Sequence, residues 1–256
     1  MTETTRIAVL SDIHGNIDAL DAVLADMAAL GVRRAVNLGD ICSGPLFPRE
    51  TAARLMPLDL PTIRGNHERQ VLQPLDEIAR FDRYARECLD PAQLDWFARL
   101  PPVLRLGELL LVHATPENDL DYFLETIEGN GIRAATTAEI EARTGGAFDG
   151  EDPPAVILCG HTHIARIVRL PKKELPWGGL ILNPGSVGLP AYTDDEPVAH
   201  VVETGSPAAR YAVLTRNEGG WSAELRAVDY DWRRAAEAAT ARGRPDVARF
   251  LATGRV

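Results

Sequence analysis

Short polar clusters follow the apolar, strand-like segments of this chain, and they constrain its fold more than any other feature. Five of its six histidines lie in these clusters. In chain order the clusters are Asp12-Ile13-His14, Gly39-Asp40, Gly65-Asn66-His67, His113 and His161-Thr162-His163. Because strand ends at one edge of an α/β sheet converge on a single crevice, we expect these side chains to lie close together.

The segments between the clusters alternate between strand-like and helix-like patterns. Residues 6–11 and 34–38 are short aliphatic and β-branched runs, which predict strands. Between them, apolar side chains from Ile17 to Leu30 recur at helical spacing, and Gly31 follows as a stop. This strand–helix–strand order predicts parallel strands joined by crossover helices.

The rest of the chain predicts further short elements within one domain, residues 1–256. Helices are predicted at residues 48–56, within 67–100, and as two short helices after residue 231. Strands are predicted at residues 62–64, 103–106, 109–113, 155–159, 164–170, 179–182, 198–203, 210–215 and 221–228. Residues 114–150 are predicted to be mostly irregular, with helical patches.

The formal net charge of −10 restricts the partners of the protein. A strongly acidic surface repels nucleic acids and anionic lipids, so neither stable nucleic-acid binding nor membrane association is expected. No window approaches the roughly 18 continuous apolar residues of a membrane helix, and the polar N-terminus has no signal pattern. Cys42, Cys88 and Cys159 are too far apart to predict a disulfide framework. We therefore expect a cytoplasmic protein.

Histidine and carboxylate side chains dominate the clusters, and these groups suit zinc, manganese or iron. Asp12 and His14 alternate in a segment that we expect to be nearly extended, so both can reach one ion. His161 and His163 have the same spacing. With the side chains of the Gly39-Asp40 and Gly65-Asn66 turns added, the clusters offer enough ligands for two ions.

A pair of divalent cations would make the crevice attractive to a phosphate ester despite the acidic exterior. The negative charges of Asp12, Asp40 and one bridging hydroxide cancel three of the positive charges of two divalent cations and leave a net charge of about +1. Two ions about 3.5–4 Å apart can also hold the attacking and leaving oxygens of a phosphoryl transfer.

The ordered clusters resemble the motifs of the calcineurin-like metallophosphoesterase superfamily. The matching residues are Asp12-x-His14, Gly39-Asp40, Gly65-Asn66-His67-Glu68, His113 and Gly160-His161-Thr162-His163. Residues 39–45 and 183–188 resemble its small bacterial and archaeal phosphodiesterase branch, which includes proteins described as diadenosine tetraphosphate hydrolases. The resemblance spans residues 6–203 and leaves 204–256 as a C-terminal region of open role. It implies an α/β fold in which two mixed β-sheets pack as a sandwich flanked by helices.

The resemblance also implies a role for each motif residue. Asp40 would bridge two divalent ions, which could be manganese, iron or zinc. The other ligands would be Asp12, His14 and His163 for the first ion, and Asn66, His113 and His161 for the second. His67 would face the substrate and either protonate the leaving oxygen or stabilise charge on the phosphoryl group. The implied reaction is attack by a metal-bound hydroxide on a phosphodiester or a small nucleotide.

Three alternatives to this function stay open: a phosphomonoesterase or protein phosphatase, a dinucleoside polyphosphate hydrolase, and a non-catalytic scaffold of the same fold. The scaffold is disfavoured because every ligand position and His67 are present. The oligomeric state is left open.

Four aromatic residues fall in loops near the motifs, and packing is the favoured interpretation over stacking on a nucleobase. They are Phe47, Tyr122, Phe123 and Trp177. His200 lies outside the motifs and is interpreted as structural or surface, and Lys172-Lys173-Glu174 as a solvated hairpin tip.

Overall fold

The structure, a computed structural model, describes residues 5–149, 151–171 and 178–256. Trp177 and the Lys172-Lys173-Glu174 segment lie outside the described residues. The strands are β1 (Thr5–Leu10), β2 (Arg34–Asn37), β3 (Leu104–Leu106), β4 (Leu109–Leu111), β5 (Glu125–Glu128), β6 (Gly131–Ala134), β7 (Val156–Leu158), β8 (Arg166–Leu170), β9 (Gly179–Asn183), β10 (Ala191–Asp194), β11 (His200–Glu203), β12 (Ala209–Asn217) and β13 (Gly220–Val228). The α-helices are α1 (Ile17–Ala29), α2 (Pro48–Leu55), α3 (Asn66–Val71), α4 (Arg80–Cys88), α5 (Pro91–Arg99), α6 (Thr137–Arg143), α7 (Arg233–Ala241) and α8 (Pro245–Thr253).

Two mixed sheets form the centre of the described structure. The first has the strand order β13-β12-β1-β2, in which β1 pairs parallel to β2 and antiparallel to β12. The second has the order β3-β4-β7-β9-β8, in which β4, β7 and β9 are parallel. The predicted α/β fold with two mixed sheets is therefore confirmed.

The sheets pack face to face through alternating side chains of their strands. Val9 and Val36 of the first sheet share one buried cluster with Leu111, Leu158 and Leu182 of the second. A strand turns successive side chains to opposite faces, so the neighbours of Val9 on β1 pack on the outer face of the first sheet. There they meet the apolar stripe of α1, which consists of Ala19, Leu20, Val23 and Met27.

This arrangement places the predicted ligand clusters at one edge of the sandwich. The loops that carry them follow the C-terminal ends of β1 and β2 in the first sheet and of β4 and β7 in the second. Asn66 begins α3 just after Thr62, which forms a single parallel bridge with Asn37. The predicted strand at residues 62–64 is thus wrong in extent, because only this one bridge forms.

Residues 114–150 are more regular than predicted. They contain the β5–β6 hairpin and α6, which begins with a capping box between Thr136 and Glu139. A strand signal is weak here because both strands are only four residues long and place charged side chains, including the buried Glu125, among the apolar ones. Strand β10, which pairs with β11, was also missed.

The C-terminal helices are attached to the motif core rather than separate from it. α7 and α8 bury Ala235, Val247 and Phe250 in a cluster with Leu46 and Leu189. Leu46 follows the Gly39-Asp40 motif, and Leu189 follows β9, so the C-terminal region lies next to the loops of the candidate site. Among the described helices, none has the length and apolar character needed to cross a membrane.

Candidate metal centre

The loops after β1 and β2 run side by side and are joined by backbone hydrogen bonds. The N–H groups of Asp12, His14 and Gly15 donate to the carbonyls of Gly39, Asp40 and Ile41 at 3.0, 3.0 and 2.8 Å. The prediction that Asp12 and His14 lie in a nearly extended segment is wrong, because their φ angles are 55° and 50°. Instead, two left-handed residues flank Ile13, and the side chains of both still face one centre.

Left-handed backbone is a shared property of most predicted ligands. Asp40, His161 and His163 also have positive φ, at 55°, 67° and 59°. Asp and His tolerate this region better than most residues, but each instance still costs about 1–3 kcal/mol. Such conformations persist only where surrounding contacts hold them, and they concentrate at functional sites.

Four of the predicted histidine ligands each bond one ring nitrogen to a backbone carbonyl. The contacts are His14 Nδ1 with Ser43 O at 3.0 Å, His113 Nδ1 with Leu38 O at 2.7 Å, His163 Nδ1 with Leu189 O at 2.6 Å and His161 Nε2 with Leu120 O at 2.8 Å. Because a carbonyl only accepts, each bonded nitrogen carries the proton. In the neutral form of such a ring the second nitrogen offers a lone pair, and metal-binding histidines are usually oriented in this way.

The free nitrogens and the carboxylates converge in two adjoining groups. In the first, His163 Nε2 lies 3.2 Å from His14 Nε2 and 3.4 Å from Asp12 Oδ1. In the second, His113 Nε2 lies 3.1 Å from Asp40 Oδ2 and 3.0 Å from the side-chain oxygen of Asn66.

Asp40 belongs to both neighbourhoods. The ligand atoms of Asp40, His113 and His161 all lie within 4.8 Å of one another, and so do those of Asp40, His14 and His67. Asp12, His14 and His163 form a third group whose ligand atoms lie within the same distance of one another. The structure therefore brings all seven predicted ligands together at this edge of the sandwich.

The side chains fit divalent cations, because their inward-facing oxygens, and their ring nitrogens in the neutral form, all carry lone pairs. The lone pairs of His14 Nε2 and His163 Nε2, which are 3.2 Å apart, repel each other unless a cation or proton lies between them. The same is true of His113 Nε2 and its neighbours, the Asp40 carboxylate and the Asn66 side-chain oxygen. Asp12 and Asp40 are 0% and 1% exposed, and buried carboxylates need a compensating charge. This chemistry matches the divalent metal ions that bind nitrogen and oxygen ligands.

The pKa values of the histidines agree with this arrangement. Burial, helped by His163, lowers the pKa of His14 to about 3, and burial with His113 lowers that of His161 to about 4, so both rings are neutral. At His113 burial also disfavours the charged ring, but Asp40 outweighs it and raises the pKa to about 10. A proton thus binds where Asp40 would equally attract a metal ion.

His67 faces the same centre, but its ring is held by a different kind of partner. Its Nδ1 lies 2.7 Å from Asp82 Oδ1, and its Nε2 lies 3.9 Å from Asp40 Oδ2. Burial lowers the pKa of His67, but Asp40 and then Asp82 outweigh burial and raise it to about 9. Sequence reasoning missed Asp82, which is 1% exposed on α4, because nothing in its local sequence sets it apart from a surface carboxylate.

Glu68 joins the loops that carry the ligands. Its carboxylate accepts the backbone N–H groups of Asp40, Ile41 and Gly65, each at 2.8 Å. Gly65 itself passes so close to the site that an added Cβ would lie 2.1 Å from Asp40 Oδ1. Burial raises the pKa of Glu68 to about 7.

A second group of side chains supports His161 and His163 from behind. The Tyr122 ring lies edge-on to His161 at 5.3 Å, and the Tyr192 ring to His163 at 4.7 Å. The two tyrosine hydroxyls are 2.7 Å apart, and that of Tyr122 also lies 2.7 Å from His200 Nε2. His200 is therefore structural, as interpreted, and is buried.

Phe123 and Phe47, two further aromatic residues near the motifs, pack in hydrophobic clusters. Phe123 is 2% exposed in the core outside the second sheet, and Phe47 packs with the C-terminal helices.

Comparisons with known proteins place this chain in a family. A family model described as the calcineurin-like phosphoesterase superfamily domain matches residues 5–206. An uncharacterised protein of Methanocaldococcus jannaschii is 25% identical over 253 residues, which cover 91% of each chain.

Two solved structures are similar over nearly the whole chain. A metallophosphoesterase from Sphaerobacter thermophilus is 25% identical with a TM-score of 0.76, and the match covers 98% of this chain and 100% of that one. A hypothetical protein from Pyrococcus horikoshii is 19% identical with a TM-score of 0.73, and the match covers 98% of each chain.

The contacts of Glu68 predict a stability change. Glu68→Gln should lower the free energy of unfolding by about 1–3 kcal/mol, because the amide NH2 would face a backbone N–H instead of accepting it. Urea unfolding of the metal-stripped protein measures this loss. The matched control is Glu77→Gln, at an exposed position, and an equal effect of both substitutions would contradict the role of Glu68.

Proposed function

The chain belongs to the calcineurin-like phosphoesterase superfamily and is a hydrolase of phosphoester bonds, and on that premise we propose that it hydrolyses a phosphodiester or a small nucleotide with two divalent cations. The observation that carries this proposal is the position of Asp40 between two groups of acceptor atoms. One carboxylate shared by two groups is the arrangement expected for a pair of cations held side by side.

The ligand distances support a specific division of the site. Asp40 would contact both cations. Asp12, His14 and His163 would hold the first cation, and Asn66, His113 and His161 would hold the second. Nitrogen and oxygen ligands without thiolate suit manganese, iron or zinc, and affinity alone does not choose among them. When bound, the cations would supply positive charge for the phosphoryl group and lower the pKa of the attacking water.

The protein's own residues would provide the proton for the leaving group. Asp82 fixes the His67 ring through Nδ1, and its negative charge favours the protonated ring, in which Nε2 also carries a proton. The protonated nitrogen faces the same centre as Asp40. We assign His67 as the group that donates to the leaving oxygen or stabilises charge on the phosphoryl group, and Asp82 as the residue that positions it.

The presence of a complete ligand set with a positioned His67 supports catalysis over the scaffold alternative. A phosphomonoesterase would use the same cations and the same proton donor, and the relative turnover of a diester and a monoester separates the two reactions.

A turnover panel tests the proposed reaction. The protein with added manganese should hydrolyse bis(p-nitrophenyl) phosphate faster than p-nitrophenyl phosphate. The panel should also contain a cyclic nucleotide, a dinucleoside polyphosphate and a phosphopeptide. Preference for the monoester or the phosphopeptide would contradict the diester assignment, and no turnover of any member would contradict the proposed function.

The shared position of Asp40 predicts that its charge supports both cations. Asp40→Asn should reduce the bound metal from two equivalents to well below one, because an amide attracts a cation much less than a carboxylate does. Elemental analysis after dialysis against manganese measures the stoichiometry. Asp95→Asn, on an exposed face of α5, is the matched control. Loss of a single equivalent would rule out a bridging role.

The role of His67 predicts a loss of turnover without a loss of metal. His67→Ala should lower kcat on the activated diester by about 10²–10⁴-fold, the usual contribution of a positioned acid or base. Asp82→Asn should lower it less, because the amide oxygen still accepts from Nδ1 without the charge. Asp76→Asn, which is exposed, is the control. A kcat within a factor of two of wild type for His67→Ala would refute the assignment.

A further inference from the structure

A pocket of about 190 Å³ lies beside the candidate metal centre and is rich in arginine. Helix α4 contributes one wall with Arg80, Arg83, Tyr84 and Glu87, whose spacing places them on one helical face. The turn between α7 and α8 contributes the other wall with Arg242 and Arg244, and Pro45 and Phe81 complete the lining. The pocket therefore exists only because the C-terminal helices pack against the motif core.

Phe81 separates this pocket from the metal centre. Its ring centroid lies 5.5 Å from that of His67 and 6.0 Å from that of His14. The neighbouring residue, Asp82, is the partner of His67. The guanidinium of Arg244, which lines the pocket, lies 5.5 Å from the Phe81 centroid. The pocket thus lies on the side of the site where His67 would protonate the leaving group.

The charge of the pocket is opposite to that of the whole protein. Four arginines line it together with one acidic side chain, Glu87, whereas the chain as a whole has a net charge of −10. Asp246 pairs with Arg244 at 2.6 Å from outside the lining. Guanidinium groups gathered in one pocket repel one another, and a bound anion removes that repulsion.

Two of the four guanidinium groups are held by contacts with the pocket walls and the neighbouring backbone. Arg242 lies 5.0 Å from the Tyr84 ring centroid and donates from Nη1 to Pro45 O at 3.1 Å. Arg83 donates from Nη2 to Leu75 O at 2.8 Å. Each guanidinium has five N–H donors, so these contacts leave donors for a ligand. Fixed, planar donors of this kind are suited to phosphate oxygens.

We propose that this arginine pocket binds a second phosphate group, carried by the part of the substrate that leaves on hydrolysis. This inference rests on the proposed function and narrows it to esters whose leaving group has a further phosphate, as in a terminally phosphorylated dinucleotide. It also gives the C-terminal helices a role in substrate selection.

Direct binding tests the pocket without any catalysis. Inorganic pyrophosphate is titrated into the metal-stripped protein by calorimetry, so that no bound cation attracts the anion. The double variant Arg80→Gln/Arg244→Gln should weaken binding about tenfold or more for each charge-assisted hydrogen bond lost. Arg249→Gln, exposed on α8 outside the pocket, is the matched control. The same dissociation constant in the double variant and in wild type would overturn the proposal.

A kinetic comparison links the pocket to the substrate. The manganese-loaded protein is assayed with bis(p-nitrophenyl) phosphate and with thymidine dinucleotides that carry a phosphate at the 3′ or the 5′ end. For one of the two dinucleotides, the ratio of its kcat/KM to that of the simple diester should fall about tenfold or more in the double variant. This ratio should stay unchanged in Arg249→Gln.

The two hypotheses fail in different ways. If the protein hydrolyses the simple diester but the ratio of kcat/KM values is the same in the double variant and in wild type, the pocket proposal is overturned. The proposed function then still stands. If wild type hydrolyses none of these esters, the proposed function fails, and pyrophosphate binding still decides whether the pocket is an anion site.

Discussion

Two buried carboxylates, Asp12 and Asp40, are the constraint on which the rest of the site depends. Neither is exposed to water by more than 1%, and a buried negative charge is costly unless opposite charge or hydrogen-bond donors surround it. The backbone N–H groups of His161 and His67 donate to Asp12 and Asp40. Four nearby imidazoles each use one ring N–H for a backbone carbonyl, so in its neutral form none of them has a second N–H for a carboxylate. The protein thus builds a small volume of acceptors that divalent cations stabilise, and the family to which the chain belongs is one of metal-dependent phosphoesterases.

The sandwich explains how so many acceptors reach one place. Each sheet sends the C-terminal ends of two parallel strands to the same edge, and the loops after these four strands carry six of the predicted ligands. Asn66 comes from a fifth segment, which follows the single bridge at Thr62. Left-handed backbone at five ligand positions turns the side chains inward at an energetic cost. Packing around the loops offsets that cost: Glu68 binds three backbone N–H groups, and Ser186 Oγ donates to Asp12 O at 2.7 Å. Much of the support for the site is hydrogen bonding to the backbone of these loops, so small changes in that bonding should shift the predicted ligands.

The sequence predicted those parts of the site that lie in short local motifs at strand ends. Asp12, Asp40 and the His161-Thr162-His163 cluster could be found because a polar group after an apolar run is visible in one window. The left-handed angles were not predictable, because they depend on pairing between two loops. Asp82 and the β5–β6 hairpin were missed since each looks like ordinary surface sequence until tertiary contacts bury one face. The arginine pocket was hidden for a related reason: its two walls lie far apart along the chain and meet only in the folded protein.

The proposed metal centre and the arginine pocket would give an otherwise acidic protein two adjoining places that attract an anionic substrate. The proposed hydrolysis depends on the pair of cations, and anomalous diffraction from crystals soaked in manganese tests that pair most directly. We expect two anomalous peaks about 3.5–4 Å apart, with Asp40 in contact with both and one histidine group around each. A single peak, or peaks away from Asp40, would contradict this expectation.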